Sequence, residues 1–466
     1  MDAPTGATTE IDLPKLSRLA DLWATIRLAL PVVVSEIGWM AMGVADTMLV
    51  AHLGPAAIGA AGIGGSVYFT FAVFGMGLFL GLDTLVSQAH GAGQRQEARQ
   101  WLRTGVLLAL ITTPPLTLFF MALLLSVHRW GLSPEILPLA GPYMWAALWG
   151  TGPLLVYAAC RRYLQSVGQV RPVMLVLISA NLINVLGNWL LINGHWGLPA
   201  MGINGSAWAT VISRVYLAVM LVLIVVKIDP EVFVKGWARS VQRIDLKKLL
   251  VLGLPASLQI TLEVGIFSFA ATLVGRLAPI SLAAHQIVLN ITSLTFMVPL
   301  GIASAAAVRV GHGIGARQPQ AARQAGWTAI GLTVAVMIFF ALHFLLIPVP
   351  LLRCFTADTA IINKGITLLA IAAVFQIFDG LQAVCTGALR GLGDTATPAA
   401  TNLIAHWLIG LPVGIYLAFW RSMDVSGIWI GLSTGLIVVG AVLSVVWMRR
   451  STNLNIDQPP VNIDKS

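Results

Sequence analysis

Charge is what this chain most conspicuously lacks. Only 10% of its 466 residues are Asp, Glu, Lys or Arg, against about 25% in soluble domains, which excludes a water-soluble globular protein. Cysteine is nearly absent too. Cys160, Cys354 and Cys385 are too few and too dispersed for a disulfide framework or a zinc site, and read as unpaired apolar fillers. There is no Ser/His/Asp spacing, HExxH, CxxC or Walker loop, so nothing supports catalysis, a cofactor or ATP-driven work. An integral membrane enzyme would need a clustered nucleophile or metal set at one membrane face, and none is found. The first apolar run follows some twenty polar residues, is too long for a signal core and lacks a cleavage site, so it reads as a retained spanning helix.

What is present is apolar: 57% of residues are hydrophobic and the mean hydropathy is +0.85. Runs of about 20 residues or more read as membrane-spanning helices. They fall near 24–52, 57–82, 101–126, 136–158, 172–193, 204–227, 250–273, 280–308, 327–348, 361–386, 398–420 and 426–448. Several exceed what a bilayer requires, which implies tilt or kinks. The chain is therefore expected to be an all-α, twelve-helix integral membrane protein. Alternate connections collect 22 of the 28 basic residues, placing both termini in the cytoplasm of a plasma membrane, the inner one in a bacterium. That even spread leaves no concentrated basic patch for nucleic acid.

A shift of 224 residues partly superposes the chain on itself: Pro31 meets Pro255, Pro55 meets Pro279, and Ala98-Arg99-Gln100 meets Ala322-Arg323-Gln324. A shift of 225 brings Cys160 onto Cys385 and Gly168 onto Gly393. Each copy carries six spans, an even number, so two lobes related by a pseudo-twofold along the membrane normal are expected, with the substrate route between them. The expected division is a tail at 1–23, a first lobe at 24–227, a basic linker at 228–249, a second lobe at 250–448 and a tail at 449–466.

Five carboxylates fall inside the spans: Glu36, Asp46, Asp83, Glu263 and Asp379. A charge near the bilayer centre costs at least roughly 2.5–3.5 kcal/mol on insertion scales, so each needs a reason to be there. The other acids are assigned to tails, loops or helix ends. The duplication does not repeat the buried acids: Asp46 aligns with Ala270, and Glu263 with Trp39. Each half is thus expected to have its own task.

Trp39 and Met42 share the face of Asp46, and Asn181, Asn184 and Asn188 form a polar stripe on the fifth span that could close a pocket with it. Asparagines that merely glue helices are the alternative. Glu263 lies two turns after Pro255, flanked by Gln259 and Phe267; Asp379 shares a face with Phe375 and Gln382. An acid beside an aromatic ring suits an alkali ion or an organic cation; a carboxylate held neutral, or locked to Arg214, the one basic residue in mid-helix, is the alternative. Glu36, about 15 Å from Asp46 along the helix, is expected to line the cytoplasmic vestibule or to be interfacial. Asp83 is expected to cap or to pair with cytoplasmic arginines. His285, with Gln286 and Asn290, forms a weaker stripe that serves packing or proton carriage.

Several runs also resemble the multidrug and toxic compound extrusion family, in its NorM-like branch, over about residues 20–450: LALP to VADTMLVAHLG, GINGSAWATVISR, AAHQI with MVPLGI and RVG, and ALRGLGDT. The resemblance implies a V-shaped antiporter, most simply a monomer, exchanging Na+ or H+ for amphipathic, often cationic, small molecules across the lipid bilayer. It places Asp46 at the family's first-lobe acid, with Asn184 and Asn188 beside it. It places Glu263 and Asp379 at the second-lobe acids, where Na+ could bind, with Phe375 as an aromatic contributor. Asp83, within LDTLVSQAHGAG, departs toward plant and animal members and leaves the coupling ion open. A lipid-linked precursor flippase of the same superfamily is the rival reading; it would usually show two extra spans and a cationic cavity.

Overall fold

The computed structural model describes residues 17–233 and 237–454; the tails beyond these bounds and linker positions 234–236 lie outside the described residues. The described residues contain helices and no strand. Apolar runs this long have no other choice in lipid, where each backbone N–H and C=O must find its partner within its own segment. Local chemistry sets the ends. Ser17 and Asp358 accept hydrogen bonds from backbone N–H groups of the helices they precede, Gln242 and Asp245 form a capping box, and proline opens three helices at Pro55, Pro279 and Pro319.

Among the described residues, eleven helices are long and apolar enough to cross a membrane. They are α1 (Arg18–Leu53), α2 (Pro55–Gly91), α3 (Arg95–Leu125), α5 (Val170–Asn193), α6 (Ile203–Ile228), α7 (Arg243–Val274), α8 (Pro279–Gly315), α9 (Pro319–Leu346), α10 (Thr359–Gly391), α11 (Ala396–Trp420) and α12 (Asp424–Thr452). The crossing expected at 136–158 is instead α4 in two pieces, Leu137–Leu148 and Thr151–Ser166. Pro153 cannot donate a bond back to the preceding turn, and the Thr151 hydroxyl takes the Leu148 carbonyl at 2.8 Å. Residues 243–249, read as linker, are the first turns of α7. The protein is a multi-pass membrane protein, and its described residues make twelve crossings when the two pieces of α4 are counted as one.

The halves keep the signature of their duplication in the backbone. Gly168 and Gly393, matched by the repeat, are both left-handed, at φ 81 and 88; Gly93 and Arg317, 224 residues apart, are at φ 73 and 55. Cys160 and Cys385 are both free and fully buried, whereas Cys354 is free and exposed, so only two of the three cysteines are fillers.

The halves meet at the end of the bundle where α1 begins and α12 ends. Asp21, at the start of α1, forms an ion pair with Arg309 of α8 and accepts the hydroxyl of Thr328 of α9. Asp83 of α2 lies 3.5 Å from the Arg390 side chain of α10 and 3.4 Å from that of Arg162 in α4. Gln88 donates to the Gly391 carbonyl at 3.0 Å, and His312 contacts the Ser166 carbonyl at 2.7 Å. Glycines let the backbones touch: Gly301 lies against Val33, Gly311 against Ser87, and Gly253 against the Leu78 carbonyl. The deepest crossing bond runs from Ser257 of α7 to the Phe74 carbonyl of α2 at 2.5 Å. Beyond that depth the polar sites of the halves are separate.

Candidate functional site

In the first half, α1 and α5 bring Asp46 to Asn188, whose amide donates to Oδ1 at 2.7 Å; Thr210 of α6 donates to Oδ2 at 2.9 Å. Asn184 lies 3.5 Å from the Thr210 hydroxyl and within reach of Asp46. Tyr143, on the first piece of α4, feels the charges of both Asp46 and Arg214. Asn184 and Asn188 are fully buried, and each keeps an amide oxygen without a partner.

The remaining stripe residues go elsewhere. Asn181 bonds its own helix at the Leu177 carbonyl, 3.0 Å away, and faces Gly38 of α1, so it packs helices and stays out of the pocket. Trp39 stacks on Tyr157, with centroids 6.1 Å apart; it joins the first-half core rather than the Asp46 pocket. Glu36 forms an ion pair with Arg161 of α4, which replaces the expected open vestibule position: an acid at that depth is satisfied by a neighbouring guanidinium. Asp83 is fully buried and pairs with Arg162 and Arg390, locking the seam.

In the second half, Glu263 of α7 meets three amides. Asn402 of α11 lies 3.5 Å from Oε2, and Gln259 and Gln382 stand near enough to act on its charge. Asp379 of α10 is close enough to interact with the charge of Glu263. The amide oxygens of Gln382 and Asn402 are buried without a partner. Carboxylates with free amide oxygens are the donor set of a hard monovalent or divalent cation. Among the described residues no three or more His, Cys, Asp and Glu gather as a metal cluster. The site's backbone is irregular: α11 widens into π-helical turns at Leu403–Gly410, directly after Asn402. Such bulges are frequent where a helix must present a side chain out of register.

Around these acids the aromatics are braced. Phe375 is buried and leans on Trp429 at 5.8 Å; Trp429 in turn donates to His285 Nδ1 at 3.0 Å. His285 is therefore part of a packed chain of rings, while Gln286 and Asn290 are exposed. Phe267 packs against the second-half core. Arg214 is not the partner of Glu263 or Asp379: it lies in the first half, above the ring of Tyr68 at 4.3 Å. Thr210, Tyr68, Tyr143 and Asn402 are the site residues that sequence reasoning missed.

The two acid sites therefore sit one per half, each inside a unit of about six crossings. A MatE family model matches residues 31–190 and 255–416, one match in each half. The chain belongs to the MatE family. Its NorM-like character follows from its relatives. It is 35% identical over 444 residues to the "Probable multidrug resistance protein NorM" of Mesorhizobium japonicum, covering 92% of this chain and 94% of that one. It is 36% identical over 448 residues to the "Multidrug resistance protein NorM" of Burkholderia vietnamiensis, again covering 92% and 94%. In fold it is similar to a solved structure described as the outward-facing conformation of a multidrug resistance MATE family transporter, with a TM-score of 0.85, 22% identity and coverage of 93% and 97%. This MatE chain is all-α, membrane-spanning and two-lobed.

Proposed function

We propose that this MatE chain is a multidrug efflux antiporter, which exports amphipathic, often cationic, small molecules in exchange for Na+ or H+ by alternating access of its two halves. It acts as a transporter and not as an enzyme. The observation that carries the reading is the pair Glu263 and Asp379, two acids facing each other's charge among amides and, among the described residues, with no basic side chain bonded to either. Two like charges withdrawn from water repel each other strongly. Such a pair is stable only once it takes up a cation or a proton.

The seam supports the direction of the cycle. With the termini cytoplasmic, the bonds from Asp21, Asp83, Gln88 and His312 close the cytoplasmic end, and the sites face outward. Ion or proton uptake at Glu263 and Asp379 from outside lowers the affinity for a cationic solute, which leaves; the seam then opens, the ion is released inward, and a new solute enters. Coupling is the difference in affinity between the two states and must be reciprocal.

The test is efflux of a fluorescent cation from proteoliposomes with the sodium and pH gradients collapsed separately. Efflux that stops with one gradient and persists with the other names the ion. Efflux indifferent to both defeats the reading.

A further inference from the structure

The first turns of α7 carry positive charge at the end of a helix that favours it least. Arg243 opens α7 and Lys247 follows one turn later. The unpaired N–H groups of a helix start repel a cation, and like charges one turn apart repel each other. No acid offsets this. Asp245 is engaged in the capping box with Gln242 and by the Gln100 amide at 3.1 Å, and Asp229 and Glu231 pair with Arg99. Among the described residues no carboxylate lies within ion-pair distance of Arg243 or Lys247, and both side chains are exposed.

The next turns of the same helix are apolar and concave. Arg243 and Lys247 stand with Leu246, Leu250, Val251 and Leu254 around a groove of about 420 Å³. Leu250 begins the apolar run of this crossing, so the two cations lie at the membrane face and the groove's apolar wall lies within the bilayer. The groove ends beside Pro255. About a quarter-turn away, α7 meets α2, where Gly253 lies against the Leu78 carbonyl and Gly81 against the Leu249 carbonyl. The groove therefore flanks the line on which the two halves touch.

We propose that this groove seats one anionic phospholipid of the adjoining leaflet, its phosphate between Arg243 and Lys247 and the start of an acyl chain along Leu250, Val251 and Leu254. The phosphate supplies the acceptor oxygens that the guanidinium and the ammonium lack, in charge-assisted contacts. Basic residues beside a crossing helix draw anionic lipid, and the chain covers the apolar wall. A free phosphate ion would answer the cations and leave that wall bare. A zwitterionic lipid would bring a third cation to the two already there. The inference goes beyond the efflux reading and does not depend on it: it needs only that α7 crosses the membrane.

The test is native mass spectrometry of the purified full chain, titrated in detergent with dioleoylphosphatidylglycerol or dioleoylphosphatidylcholine, which share their acyl chains and differ in head group. For the first lipid bound, wild type should favour phosphatidylglycerol by about tenfold or more. Arg243→Gln combined with Lys247→Gln should bring that preference to within about twofold. Arg95→Gln combined with Arg171→Gln removes the same charge from exposed positions at the starts of α3 and α5 and should keep it. Glycerol 3-phosphate, a head group without chains, should not displace the lipid at equal concentration. A wild type without preference, a preference that survives the loss of both cations, an equal loss in the control pair, or displacement by glycerol 3-phosphate would each overturn the site. Should the double variant not fold, Arg243→Gln and Lys247→Gln taken singly, each expected to lower the preference about fivefold, carry the same decision.

Discussion

The two halves descend from one repeat, yet they treat their buried acids in opposite ways. In the first half a single acid, Asp46, is held by an amide and a hydroxyl and has a guanidinium in its field. In the second half two acids, Glu263 and Asp379, share each other's field and meet only amides. An anion with donors and a nearby fixed cation is stable as it stands. Two carboxylates that repel each other, with no basic side chain paired to them among the described residues, must take something up. Under the antiport proposed above, ion exchange falls to the second half and solute recognition to the first, although both grew on the same six-helix scaffold.

The sharpest way to break this assignment is to remove the second-half acids. Glu263→Gln and Asp379→Asn should each bring ion-driven efflux to background while membrane insertion is retained. A coupling energy of ~1–3 kcal/mol corresponds to a loss of about 5–150-fold, read as the ratio of efflux with and without the gradient. Retained gradient dependence in both variants would move the ion site to Asp46 and reverse the comparison.

The seam offers the next largest effect, and it should move both sites together. Asp21 is 3% exposed and joins Arg309 and Thr328 across the halves. Breaking a buried pair from one side costs about 3–5 kcal/mol. Arg309→Ala should therefore weaken the closed terminal end, and maleimide labelling of a cysteine introduced at Ala29, itself buried in the seam, should speed up. Solute and ion affinity should then shift in the same variant, whereas variants of a single site should shift one or the other. A labelling rate equal to the parent's would show that the pair does not hold the seam.

Asp46→Asn tests the first half alone. It removes the charge but keeps a side chain that Thr210 and Asn188 can bond. The expected result is a solute affinity lower by about tenfold, the size of one charged hydrogen bond, with the ion dependence of residual efflux unchanged.

How much of this was legible in the sequence depends on how far apart the partners lie. The twelve crossings were readable because hydropathy is a local property. The break in α4 carried its own signal in Gly150, Gly152 and Pro153, but the apolar run on both sides of it concealed it. The acids stood out because lipid makes each of them expensive. Their partners did not. Thr210 and Arg214 both lie in the run GINGSAWATVISR, but nothing local says that a threonine bonds an acid 164 positions earlier. Asn402 is one asparagine among many until α11 is laid beside α7. Asp21 fell within the tail expected at 1–23; only the packing of α1 on α8 and α9 turned it into a buried partner. Cross-helix contacts are set by packing, and periodicity within one helix is blind to them.

The smallest expected effect probes the seat of Arg214 without touching a charge. Gly150 has no side chain where the guanidinium passes, and a methyl group there would crowd both its Nη1 and its Cδ. Gly150→Ala should push Arg214 off the Tyr68 ring and forfeit a cation–π contact of about 0.5–2 kcal/mol, or roughly a twofold to thirtyfold change. Because Arg214 is long and flexible, the lower end is expected. The change should appear in the affinity for a rhodamine cation, read by fluorescence polarisation, and it should leave the sodium and proton dependence of efflux as in the parent. An unchanged affinity would mean that Gly150 serves the break in α4, not the guanidinium, and the polarity difference between the halves would lose its first-half anchor.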